Sequence, residues 1–167
     1  MDIRTNAGYI ITDCVHIGEN EFVLIDLNGT NDEEQLRYAV EAAQLNDFIL
    51  QQSQGLDTLV DEEVNQVSGG EKLRINLARA LYRNTPILLL DEITSAVDKI
   101  TSQKIEDAIL KIQGKTVINV CHKFDISTLS MYDEIIILEN GCIVAQGTYD
   151  SLKDNPLLSN YQGKNKK

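Results

Sequence analysis

The stretch from Val67 to Asp98 constrains this chain more than any other, because it joins a helix start, a proline stop and an acid-tipped apolar run. It reads V-S-G-G-E, then an amphipathic run, then P-I-L-L-L-D-E, then I-T-S-A-V-D. Ser68 and Glu71 have the S-x-x-E spacing of a capping box, which predicts a helix beginning there. Gly69 and Gly70 leave its first turn bare, so a ligand can reach the backbone N–H groups. A bare helix start combines unpaired donors with the positive end of the helix dipole, and that suits phosphate. Leu73, Leu77, Ala80 and Leu81 share one helical face. The helix must stop before Pro86, since the residue preceding a proline avoids the α region. Ile87–Leu90 is short and continuously apolar, the pattern of a strand buried on both faces. Asp91 and Glu92 follow at its carboxyl end, the edge where ligands bind in open α/β sheets. One such carboxylate can hold Mg²⁺ through oxygen or water while the other polarises an attacking water.

The flanking sequence supplies more strands and helices. Gly8–Thr12 and Phe22–Leu27 are β-prone, and Asn28-Gly29 marks a turn. Asp32 opens a helical pattern through Leu50, with Leu36, Val40, Ala43 and Phe48 broadly at helical spacing and acids in the first turn. Lys99–Ile112 reads as a helix with Ile105, Ile109 and Ile112 on one face, ended by Gly114. Thr116–Cys121 is a second buried strand, with His122 at its carboxyl end. Phe124–Leu129 is a short helix, and Glu134–Glu139 with Cys142–Gln146 form a hairpin around the Asn140-Gly141 type I′ signal. A last helix begins at Thr148–Leu152, and Gly163–Lys167 is a frayed basic tail.

Four of these pieces, in this order and spacing, resemble the second half of an ABC transporter nucleotide-binding domain. Val67–Glu71 resembles the family's signature sequence, and Ile87–Glu92 its Walker B strand with the catalytic glutamate. Ser95–Asp98 resembles the D-loop, and His122 the switch histidine. The resemblance covers roughly residues 8 to 155. It implies an α/β fold: an incomplete P-loop NTPase domain with a mostly parallel sheet, flanking helices, a helical subdomain over 28–66 and a C-terminal hairpin. Residues 67–155 would carry the signature, Walker B, D-loop and switch-histidine core. In this likeness Ser68, Gly69, Gly70 and Glu71 meet the γ-phosphate of ATP bound on another subunit. Asp91 holds Mg²⁺ through water, Glu92 is the general base, and Asp98 crosses the dimer interface. His122 hydrogen-bonds the γ-phosphate or holds the attacking water.

The likeness also has departures. Glutamine is commonest at the place of Glu71, so this chain carries an added negative charge there. Thr12 and Asp13 stand where the Q-loop glutamine is expected. Gly55–Val67 is similar to the segment before the signature in exporters, where a glutamate resembling Glu62 contacts coupling helices. Asp61 and Glu63, however, replace residues that are more often glycine. Nowhere in the 167 residues is there G-x-x-x-x-G-K-[ST], the loop that cradles nucleotide phosphates. In the family that loop lies upstream of the Q-loop, so the isolated chain is expected to bind ATP weakly or not at all.

Composition narrows the partners. A formal net charge of −11 argues against nucleic acid, which calls for a basic face. Cys14, Cys121 and Cys142 are scattered, two of them within apolar runs, and are expected to be buried, reduced thiols. No apolar run approaches the length of a membrane span, and there is no signal-peptide pattern at Met1. A membrane role would therefore come through a partner or a missing part of the polypeptide, and the resemblance implies a place on the cytoplasmic side of the membrane, held by transmembrane partner domains. The expected assembly is a pair of ATP-binding domains with those membrane domains. A truncated, non-catalytic module pairing with an intact subunit is the alternative. A chromosome-maintenance ATPase would need a long coiled coil before the signature, and Asp32–Val67 has no sustained heptads.

Overall fold

The computed structural model describes residues 10–11, 22–23, 32–60, 67–121, 124 and 126–158. The chain divides into two units, Met1–Val120 and Cys121–Lys167. In the first, β1 (Ile10–Ile11), β4 (Ile87–Asp91) and β5 (Thr116–Val120) form a parallel sheet with β4 in the middle. A small antiparallel pair joins β2 (Phe22–Val23) to β3 (Leu59–Val60).

The helices follow the sequence pattern with one difference. The single helix expected over Asp32–Leu50 is two, α1 (Glu33–Ala42) and α2 (Asn46–Gln51). Asp32 caps α1, its carboxylate accepting from Gln35 N at 3.0 Å. The break falls at Gln44, whose φ of 56° belongs to the left-handed region and cannot continue a right-handed helix. α3 (Gly69–Tyr82) begins at the predicted Ser68 cap. Its last turn passes into Asn84 at φ 54°, ahead of Pro86. α4 (Lys99–Leu110) begins at Asp98, and Gly114 follows at φ 72°.

The core joins α1, α2, α3, β4 and α4: Leu45, Leu77 and Ile105 are fully enclosed, with Leu88 and Leu90 of β4 beside them. α1 is stitched to the far end of α3, where Gln35 Nε2 donates to Leu81 O at 2.8 Å and Asp32 N to the Tyr82 hydroxyl at 3.3 Å. The expectation that β4 and β5 are buried on both faces needs correction. Alternation puts Leu88 and Leu90 on one face with Val117, and these join the core. Ile87 and Leu89 on the other face are half-buried, while Ile118 beside Leu89 and Val120 beside Asp91 are 50% and 49% exposed. The reason is one-sided packing: the described core cluster covers the Leu88–Leu90 face alone.

The second unit is smaller. α5 (Ile126–Leu129) precedes the hairpin of β6 (Ile135–Glu139) and β7 (Cys142–Gly147), and α6 (Tyr149–Leu152) follows. Asn140 and Gly141 have φ of 50° and 78°, the two left-handed positions that a type I′ turn demands. Leu129, Ile137, Leu152 and Leu158 form this unit's core. Cys142 is exposed at the turn end of β7, which overturns the expectation of a buried thiol there. A thiol on the outer side of a hairpin has no core to enter. Cys121 is half-buried, and Cys14 lies outside the described residues.

Candidate functional site

Two backbone termini make the candidate site: the start of α3 and the end of β4. At the first, Ser68 lies in extended backbone and closes the helix with a complete capping box. Glu71 N donates to Ser68 Oγ at 3.3 Å, and Ser68 N donates to Glu71 Oε2 at 2.8 Å. The Ser68 hydroxyl also donates to Glu71 Oε2, at 2.7 Å. The first intrahelical bond is Lys72 N to Ser68 O at 2.9 Å, so the N–H groups of Gly69 and Gly70 precede the ladder. A side chain built on Gly69 meets nothing within 4 Å, leaving this turn open. Open donors at a positive helix end are what an anion needs, and the Glu71 carboxylate opposes that field from within the cap.

At the second terminus, Asp91 closes β4 with an exposed side chain, and Glu92 follows, half-buried. Glu92 has φ 49°, a left-handed conformation that costs a non-glycine residue roughly 1–2 kcal/mol. Two bonds hold it there: Glu92 N donates to Val120 O of β5, and Ser95 N donates to Glu92 O, each at 2.9 Å. Asp91 fits the habits of Mg²⁺, being an exposed carboxylate at a strand's carboxyl end. Among the described residues no three acidic, histidine or cysteine side chains cluster as ligands. Asp91 would hold such an ion, and Mg²⁺ ordinarily keeps several of its own waters.

Asp98 is the N-cap of α4. Its carboxylate accepts from Ile100 N at 3.0 Å, from Thr101 N at 3.1 Å and from the Thr101 hydroxyl at 2.6 Å. The Thr101 hydroxyl, with the backbone donors, holds this carboxyl below the usual aspartate range. His122 lies outside the described residues, as do Asp13, Asp61, Glu62 and Glu63.

Sequence reasoning missed Arg74. Its Nη1 donates to Gln44 O at 2.6 Å and its Nε to Gly70 O at 3.4 Å, tying the first turn of α3 to the break between α1 and α2. The available signal was position: Arg74 stands one helical turn after Gly70, where its guanidinium can turn back along the helix. A shallow groove of about 430 Å³ between α1 and α4, flanked by Tyr38, Glu41, Lys104 and Lys111, includes none of the predicted site residues.

A capped, glycine-bare helix start and an acid-tipped parallel strand within one α/β unit define a class of nucleotide-binding domain, and the family model for ABC transporters matches residues 3–95. The chain belongs to the ABC transporter family. It is 34% identical over 151 residues to an ATP-dependent lipid A-core flippase of Burkholderia orbicola, covering 90% of this chain and 25% of that protein. It is 44% identical over 124 residues to the mesentericin Y105 transport/processing ATP-binding protein of Leuconostoc mesenteroides, covering 74% and 17%. A solved bacterial Atm1-family ABC exporter with ATP bound aligns at TM-score 0.79 and 31% identity, over 98% of this chain and 29% of that one. The chain thus spans about a quarter or less of the curated relatives named here.

Proposed function

We propose that this chain is the ATP-binding and ATP-hydrolysing component of an exporter-type ABC transporter. It would work as one of two paired nucleotide-binding domains on the cytoplasmic side of transmembrane domains. One observation supports this most: the capped helix start at Ser68, open at Gly69, and the acids Asp91 and Glu92 belong to a single packed unit of a family member. The names of its relatives, a flippase and a mesentericin Y105 transport/processing protein among them, point the same way.

In this reading ATP lies between one domain's acids and the other domain's helix start. The Gly69 and Gly70 N–H groups receive the γ-phosphate across the interface, and Asp98 stands at that interface beside them. Asp91 would hold Mg²⁺ through water, and such an ion would supply charge neutralisation on the phosphoryl oxygens. Glu92 takes a proton from the attacking water as its oxygen bonds to the γ-phosphorus and the bond to the bridging oxygen of ADP breaks. His122 is proposed to steady that phosphate. Phosphate contacts from both sides close the pair, and hydrolysis reopens it.

The test is ATP hydrolysis by the chain assembled with its membrane domains and a partner bearing a phosphate-cradling lysine loop. Glu92→Gln should lower kcat by about 100-fold or more, the usual weight of a general base. Hydrolysis indifferent to Glu92→Gln would instead favour a non-catalytic module that lends only its Ser68 end. Calorimetry on the 167-residue chain alone should show weak or no ATP binding.

A further inference from the structure

The two glycines of S-G-G-E have different surroundings. At Gly69 a methyl group would enter open space. At Gly70 it would lie 2.7 Å from Ala96 O and 3.3 Å from Val97 Cγ1. The first distance is shorter than any real Cβ contact, and the obstacle is backbone, so no side-chain rotation relieves it. Ala96 belongs to the turn that leaves Glu92, a turn closed by Ser95 N to Glu92 O and by Val97 N to Thr94 O. That turn is anchored behind by Ile93, which is 2% exposed in the core, and by Val97 packed on the same cluster. It ends at Asp98, the cap of α4.

We propose that Gly70 is a positioning residue, whose missing side chain lets the Ala96 carbonyl dock on the first turn of α3. The docking makes the Ser68 cap and the Glu92–Asp98 turn one body. Gly69 alone keeps the helix start open to a ligand. Helix propensity cannot explain glycine at either position, since alanine is the better helix former at both. Under the proposed function, a phosphate meeting Gly69 would be felt directly at the turn that carries Glu92 and Asp98. That consequence rests on the ATPase reading, but the docking itself does not.

The experiment uses the full 167-residue chain without nucleotide. Thermal unfolding of Gly69→Ala should show a raised midpoint, and that of Gly70→Ala a lowered one. Amide hydrogen exchange separates docking from general damage. Gly70→Ala should speed exchange at Ser95 and Val97 by about tenfold relative to Leu77 and Ile105, because local opening has its own free energy. A merely structural loss would speed all four in proportion, and that result would overturn the proposal. So would midpoints moving in the same direction for both glycines. If Gly70→Ala does not fold, Val97→Ala carries the test, with faster exchange expected at Ser95 and an unchanged Ser95 overturning the idea. In the ATP-hydrolysing assembly, Gly70→Ala should lower kcat, whereas Gly69→Ala should act mainly by raising KM. Absence of hydrolysis by the wild-type assembly would count against the ATPase reading and leave the exchange result to judge the docking.

Discussion

At the start of α3 the cap meets its local preferences, while past the whole of that helix, at the end of β4, one preference is defied. Ser68 sits in extended backbone, accepts the N–H it should accept, and is repaid by Glu71 in a complete box. Glu92 holds φ 49° with a bulky acidic side chain, and hydrogen bonds to Val120 O of β5 and from Ser95 N keep it there. Strain of this kind survives only where surrounding structure over-determines it, and it gathers at working sites. The relaxed end is suited to receive a ligand on backbone atoms that need not move. The strained end aims one side chain, and does so at a cost in stability.

Substitutions at the two ends should therefore move stability in opposite directions. Ser68→Ala removes the acceptor of the Glu71 N–H and should lower stability by about 1 kcal/mol, read from urea unfolding. Unchanged stability would mean that the box is ornamental and that packing alone sets the start of α3. Glu92→Gly lets the backbone keep its left-handed conformation without a Cβ and should raise stability by about 0.5–1 kcal/mol. Hydrolysis would be lost in the same variant. A drop in stability instead would show that contacts of the Glu92 side chain outweigh its backbone strain.

A smaller effect is expected at Glu71. Its carboxylate serves the cap, accepting from Ser68 N and the Ser68 hydroxyl, and so puts a negative charge at the helix start that a phosphate would use. Glu71→Gln keeps an acceptor for Ser68 N while removing the charge. A unit charge at a helix start is worth about 0.3–1 kcal/mol, so nucleotide affinity of the assembled domains should rise about two- to fivefold. Titration with an ATP analogue measures it, and an unaltered affinity would place the phosphate elsewhere.

This contrast also explains what could be read from residues alone. The capping box, the Asn140-Gly141 turn and the stop before Pro86 are local, and each is decided by side chains a few positions apart. The break at Gln44 is not, because E-A-A-Q-L-N-D-F carries no glycine or proline and its apolar spacing runs on. Glu92 likewise looks ordinary in L-L-L-D-E-I, and the carbonyl of Val120 that helps fix its conformation is supplied by another strand. The two glycines of S-G-G-E are indistinguishable as letters. Ala96 separates them, and that contact exists only after β4 and α3 have packed. One-sided burial of the sheet escaped the apolar run Ile87–Leu90 for a related reason: composition says what could be covered, and packing decides what is.

The finest test compares the two helix caps themselves. Asp98 caps α4 with a carboxylate that the Thr101 hydroxyl and the backbone N–H groups hold below its ordinary value of about 3.9. A depressed folded pKa means that the stabilisation is complete above the unfolded value and is lost as pH falls through the folded one. Asp98→Asn should therefore unfold at a slightly lower temperature than the wild type near neutral pH, with the gap closing below about pH 4. The gap should be small and should shrink in salt, because the carboxylate is exposed and screened. A gap that persisted at low pH would assign the cap to geometry that asparagine cannot copy, not to charge. The serine cap of α3 has no charge of its own to lose over that range, so one helix start should soften in acid through its cap residue while the other does not.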